Sequence, residues 1–228
     1  MYKILLLPIL LLSNLLAFET TNIQLLHSNS FNGDAFIYDT KDSKKTTLTF
    51  EHFRTFSNGD IFMFVDMMDG EKFDGAKQDV YTEIAPRFSL SKIFSSDLSI
   101  GLISDTYIAT QLNMGYDYKA YLGGIGVDLK IPYFNVANFS AYYKDDSFNE
   151  DNKYQLTFVY STNSYHNIHL EGFIDYTKSS ENTHNQLLFN LENILNSKEK
   201  VFVGTEWIYY NDDTSKTSVF QAMIKFKF

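Results

Sequence analysis

The chain has no cysteine, which removes disulfides, thiolate nucleophiles and cysteine-based metal sites together. Beyond the N-terminus it also lacks any apolar run of membrane-helix length, so spanning helices are excluded there. Positive charge is scarce: 19 Lys and Arg stand against 28 Asp and Glu, a formal net charge of −9. Without a basic stripe to neutralise phosphates, nucleic acid is not an expected partner. No linker or shift in composition divides the chain, so it reads as one domain.

Catalytic signatures are missing as well. The histidines are His27, His52, His166, His169 and His184. His166 and His169 point to opposite faces of a strand, which argues against a shared metal and for structural or interfacial roles. There is no nucleophile elbow. The acid-rich stretches 69–79 and 145–151 lack calcium-loop spacing and read as solvated loop charge. The expectation is a protein that is not an enzyme and carries no cofactor or metal.

What the chain does have is aromatic residues, 21 Phe and 16 Tyr, at a mean hydropathy of only −0.21. That pairing suits a membrane barrel, whose charged interior offsets its apolar exterior. Residues 1–17 read as a signal peptide: Lys3, an apolar run from Ile4 to Leu12 interrupted by Pro8, and Ala17 at a plausible cleavage point. Residues 18–228 form the barrel domain in this reading.

The informative stretch is Asp79 to Ile93. Val80, Thr82, Ile84, Phe88 and Leu90 alternate with Asp79, Tyr81, Glu83, Arg87 and Ser89. A period of two is a strand with two chemically different faces. At about 12 residues it exceeds an ordinary soluble strand and suits a tilted strand crossing a bilayer. Similar segments are predicted at 21–38, 46–56, 60–68, 79–91, 104–116, 119–130, 134–144, 153–162, 166–177, 184–194, 200–210 and 217–228.

Connections at 57–59, 131–133, 162–165 and 196–198 are tight, with 94–103 the exception. Those at 39–45, 68–78, 145–152, 178–183 and 211–216 are richer in charge and turn residues. Such alternation predicts an all-β, up-and-down antiparallel transmembrane β-barrel of about 12 strands, with short turns at one end and longer loops at the other. A soluble lipocalin-type barrel has about eight strands and an apolar interior, which this pattern disfavours. The last strand alternates Phe220, Ala222, Ile224, Phe226 and Phe228 with Gln221, Lys225 and Lys227. It resembles the C-terminal signature of bacterial outer-membrane proteins.

On the polar faces lie Glu51, Asp66, Tyr81, Glu83, Arg87, Asp128, Glu171, Asp175, Glu192 and Glu206, together with Lys225 and Lys227. Charges at bilayer depth need an enclosed interior, where they govern what passes. The carboxylate excess disfavours an anion pore. Phe62, Phe64 and Asp66 share a face of one strand, and Tyr81, Glu83 and Arg87 share a face of the next. Aromatic faces stack on heterocyclic bases and carboxylates accept from sugar hydroxyls. Glu51, Phe62, Phe64, Asp66, Tyr81, Glu83, Arg87 and Asp128 are therefore the candidate solute-binding residues. Glu83 and Arg87, about 13 Å apart along the strand, either flank a ligand or pair with separate neighbours as ordinary enclosed ion pairs.

Three blocks add a family resemblance: Leu48 to Phe53, Gly59 to Asp66, and Tyr81 to Lys92 with its run Glu83-Ile84-Ala85-Pro86-Arg87-Phe88-Ser89. With Asp97-Leu98-Ser99 and Tyr121 to Asp128 following in order, the chain resembles the nucleoside-specific channel-forming Tsx and OmpK-like family. The resemblance implies a narrow, monomeric barrel among outer-membrane lipids, passing nucleosides or similar small solutes across a bacterial outer membrane. The family's receptor role for phages or colicins does not carry over, because the loops here are short. The alternatives are a porin for another small solute, or a structural surface barrel that transports nothing.

Overall fold

The computed structural model describes residues 18–30, 44–69, 78–115, 117–147, 153–196, 200–213 and 215–228. The expected signal peptide lies outside these. Twelve strands follow in order: β1 (Glu19–Ser28), β2 (Lys45–Phe56), β3 (Gly59–Asp69), β4 (Gln78–Ser89), β5 (Ile103–Met114), β6 (Lys119–Leu129), β7 (Phe134–Asp146), β8 (Tyr154–Thr162), β9 (Ile168–Thr177), β10 (Ser180–Asn190), β11 (Lys200–Asp212) and β12 (Lys216–Lys227). Two short helices, α1 (Leu90–Phe94) and α2 (Glu192–Leu195), interrupt the connections. Each strand pairs antiparallel with its sequence neighbours, and β1 pairs with β12 to close the barrel. Closure removes the unpaired strand edges that an open sheet would leave in lipid.

The sidedness is that of a membrane barrel. On β1, Gln24 is 1% exposed and its outward neighbour Leu25 47%. Ile108, Ile125, Ile174, Leu187 and Phe220 likewise face outward and are exposed. A soluble protein hides such residues, whereas a barrel in lipid presents them. A 12-residue strand such as β2, rising roughly 3.3 Å per residue and tilted about 40°, covers roughly 30 Å, enough for the apolar band of a bilayer. Exposed Tyr121, Tyr143, Tyr154 and Tyr176 mark one rim, and Phe88, Tyr133, Tyr165 and Phe228 the other. Such aromatic girdles are expected at the two membrane–water boundaries.

Both described chain ends lie at one end of the barrel, here the terminal end; the opposite one is the loop end. The Phe228 N–H donates to the Thr21 carbonyl at 2.8 Å, and the Phe18 N–H to Thr55 Oγ1 at 2.8 Å. The two-residue turn Ser57–Asn58 also sits there. Gly59, just after it, is backed so closely by the Arg87 carbonyl that an added Cβ would lie 1.9 Å from that oxygen.

Four expectations need correction. The first strand, predicted over 21–38, spans Glu19–Ser28, and residues 31–43 lie outside the described residues. The fourth stops at Ser89, because that side chain caps α1 by accepting from the Lys92 N–H at 3.1 Å. The tenth runs Ser180–Asn190 where 184–194 was predicted, since Leu191 turns helical at φ −94, ψ −1 and starts α2. Glu192 is consequently in a helix and not on the lumenal face of a strand. The loop-length alternation is also imperfect. The connection placed at 178–183 is a two-residue turn at 178–179, where Thr177 Oγ1 accepts from the Ser180 N–H at 2.9 Å.

Candidate functional site

Every strand sends alternate residues inward, and the register fixes which. Asn22 and Gln24 of β1 pair with Glu51 and Thr49 of β2, and those with Phe64 and Asp66 of β3. Phe64 and Asp66 in turn face Glu83 and Tyr81 of β4. The same row continues through Asn113 and Ala120. All eight candidate residues, Glu51, Phe62, Phe64, Asp66, Tyr81, Glu83, Arg87 and Asp128, therefore project into the interior. Seven of them sit on the adjacent strands β2, β3 and β4. Asp128, on β6, joins them through Arg87.

Along β3 and β4 the inward rings form a continuous ladder. Ring centroids are 6.1 Å apart for Phe62 and Phe64 and 5.8 Å for Phe64 and Tyr81. Tyr81 then stacks on Tyr118 at 6.4 Å and 26°. Tyr118 leads into β6 and packs on the buried group Ala109, Ala120, Leu122 and Tyr142. The ladder thus runs from mid-barrel to the loop end. Carboxylates line it with their oxygens already oriented. Glu83 accepts from the Tyr81 hydroxyl at 2.5 Å and from Gln111 Nε2 at 2.8 Å, and Asp66 accepts from the Thr49 hydroxyl at 2.5 Å.

Nearer the terminal end, Arg87 is clamped to the wall. Its Nε and Nη2 donate to the two Asp60 oxygens at 2.8 Å each, and Nη1 donates to Asp128 Oδ1 at 2.8 Å. The guanidinium carbon lies 4.2 Å from the centre of the Tyr107 ring. The Tyr107 hydroxyl closes the circuit by donating to Asp128 Oδ2 at 2.8 Å. A planar fork suits this bidentate, stacked site better than an ammonium would. Glu83 and Arg87 have separate neighbours: Glu83 is held by hydrogen bonds from Tyr81 and Gln111, and Arg87 by ion pairs with Asp60 and Asp128.

Sequence reasoning did not name Asp60, Tyr107, Gln111 or Tyr118. Asp60 shares the parity of Phe62 and Phe64, so its face was readable. Its pairing with Arg87 needed the β3–β4 register, which alternation within a strand does not give. Tyr118 precedes a strand, where alternation gives no signal.

On the other side of the interior, Lys225 of β12 ion-pairs with Glu171 of β9 and, at 3.4 Å, with Glu51 Oε2 of β2. Between β9 and β2 round the barrel lie β10, β11, β12 and β1. Glu51 and Glu171 accordingly come from strands five places apart round the barrel, and Lys225 reaches both from the arc between them. Glu51 also accepts from Asn22 Nδ2 at 2.6 Å, and Glu171 faces His169 Nε2 at 3.4 Å. Behind this bar, Gln186 donates to Gln24 at 2.9 Å and to Glu206 at 2.8 Å. Leu26, Leu188, Phe202 and Met223 form a buried apolar group beside it.

A closed barrel of twelve strands with an apolar exterior, aromatic rims and a charged, ring-lined interior is an outer-membrane β-barrel of the channel-forming class. The profile of the family described as "Nucleoside-specific channel-forming protein, Tsx" matches residues 22–217, and the chain belongs to that family. It is 25% identical over 131 residues to outer membrane protein OmpK of Vibrio parahaemolyticus. That match covers 51% of this chain and 49% of the relative, so the chain spans about half the length of the curated relative it matches. Among solved structures, a KdgM porin and the same porin in complex with disordered oligogalacturonate each superpose with a TM-score of 0.50. Both cover 92% of this chain and 98% of theirs, at 9% and 10% identity respectively, a likeness of fold alone.

Proposed function

We propose that this chain is a passive, substrate-selective outer-membrane channel for nucleosides. The observation that carries this reading is the ladder Phe62–Phe64–Tyr81–Tyr118, with Glu83 and Asp66 beside it. A base slides from ring to ring while the ribose hydroxyls donate to the carboxylates. Base–aromatic stacking is worth about 1–3 kcal/mol per ring in nucleic-acid sites. That suffices for selection and is weak enough for release, as conduction requires. Asp60 and Asp128 hold the Arg87 guanidinium to themselves, at 2.8 Å each. In the same proposal residues 1–17 direct export, the barrel works as a monomer among outer-membrane lipids, and no chemistry is performed on the solute.

The test is liposome swelling with nucleosides against arabinose and small amino acids. Nucleosides are expected to enter several-fold faster than these smaller solutes, which have no base to stack. Singly substituting Phe62, Phe64 or Tyr81 with Ala, or Glu83 with Gln, lowers that ratio. An unchanged ratio in all four variants rejects the site. One observation favours a different reading, a surface barrel that conducts nothing: Lys225 joins Glu51 and Glu171 from strands five places apart round the barrel. Absence of conductance in planar bilayers from correctly folded protein decides for that reading.

A further inference from the structure

We infer that Lys225 is the specificity-determining residue of the lumen. It is a strut whose ammonium holds Glu51 and Glu171 together from nearly opposite walls and thereby sets the size limit of the passage. The inference deepens the channel reading and rests on it for the solute, but not for the constriction itself.

Three observations converge on Lys225. The first is span. Glu171 on β9 and Glu51 on β2 have four strands between them, and the Lys225 Nζ touches both, with Gln186 Oε1 also at 3.4 Å. The second is support. Asn22 Nδ2 donates to Glu51 at 2.6 Å, and Gln24 Nε2 donates to Asn22 Oδ1 at 2.9 Å. His169 faces the remaining Glu171 oxygen at 3.4 Å and lies edge-on to the Phe202 ring at 5.2 Å. Each carboxylate is thus oriented by a second side chain from its own wall or the adjoining one, so the strut is braced at both ends. The third is seclusion. The Lys225 side chain is only 5% exposed, and its register partner on β11, Phe202, belongs to the buried apolar group. A lysine that merely decorated a wide aqueous lumen would keep its ammonium in water.

The consequence is mechanical and electrostatic. One cation between two carboxylates leaves a net negative charge across the passage, which disfavours anionic solutes such as nucleotides and admits neutral nucleosides. The tie also keeps the β9 and β2 walls together. Solute is thereby confined to the side of the lumen lined by the aromatic ladder.

The experiment measures single-channel conductance in planar bilayers and the sugar exclusion limit in liposome swelling. It compares the wild type, Lys225→Ala, and the double variant Lys225→Gln with Glu171→Gln. Heat-modifiable gel migration verifies that each has folded. The double variant removes both ends of the main ion pair, so it leaves no unpaired ion at the Glu171 position if Lys225→Ala fails to fold. Conductance is expected to rise at least twofold, and the exclusion limit to shift from mono- to trisaccharides. Folded variants with wild-type conductance and exclusion limit overturn the strut. A wider passage with no nucleoside preference in the wild type upholds the strut and rejects the nucleoside reading. A silent wild type that conducts once Lys225 is removed does the same.

Discussion

Two cations inside this barrel are each held between two carboxylates, and they do different work. Arg87 binds Asp60 on the neighbouring strand β3 and Asp128 two strands away on β6. Lys225 binds Glu51 and Glu171, which the barrel places nearly opposite each other. The first arrangement is a clamp lying flat on the wall; the second joins strands five places apart round the barrel. Side-chain chemistry matches the geometry. The rigid guanidinium fork takes Asp60 bidentately and rests on Tyr107, while the flexible lysine stem carries a point charge out to two distant partners. A barrel that must enclose charge can use it either to line a path or to narrow one, and this barrel does both.

The largest expected effect comes from breaking the clamp. Arg87→Ala leaves Asp60 and Asp128 facing each other without a cation, and stranded buried charge typically costs about 3–5 kcal/mol. The unfolding midpoint in urea, read in lipid vesicles, is expected to fall accordingly. A loss below about 1 kcal/mol would place the clamp among ordinary surface pairs.

Exchanging the cations sharpens the contrast. Arg87→Lys keeps the charge but gives up the bidentate contact with Asp60 and the stacking on Tyr107. A loss of about 1.5–3 kcal/mol is expected, the worth of a charge-assisted hydrogen bond. Lys225→Arg keeps charge and reach, so it is expected to destabilise less than Arg87→Lys. Equal losses from the two exchanges would show that fork geometry does not distinguish the sites.

The same comparison shows which parts of the molecule can be read from sequence. Strand parity put Phe62, Phe64, Asp66, Tyr81, Glu83 and Arg87 on inward faces, because a period of two carries through an uninterrupted strand whatever its partner. Lys225, Glu51 and Glu171 were readable as inward by the same rule. Their meeting was not, because it depends on barrel closure, on register through twelve strands and on how near the walls approach. Strand ends were harder wherever a side chain intervened. Ser89 stops β4 by capping α1, and Leu191 leaves the extended region although the apolar alternation runs on through it. Tyr118 lies outside any strand and joins the ladder only because β6 brings it to Tyr81.

The smallest expected effect concerns a single ring. Phe64 is the middle rung between Phe62 and Tyr81, with centroid distances of 6.1 and 5.8 Å. Phe64→Leu preserves an apolar side chain of similar size, so folding stability is expected to change by less than about 1.5 kcal/mol. What it removes is an aromatic face, and the ladder then has a gap between its terminal-end ring and Tyr81. If a passing base stacks on successive rings, losing one contact of about 1 kcal/mol weakens nucleoside binding roughly fivefold. Arabinose, which has no base to stack, is expected to enter at the wild-type rate. The swelling ratio of nucleoside to arabinose therefore isolates stacking from changes in pore width, which alter both rates together. A parallel fall in both would assign Phe64 to packing of the wall, and an unchanged ratio would mean that solute does not follow the β3–β4 ladder.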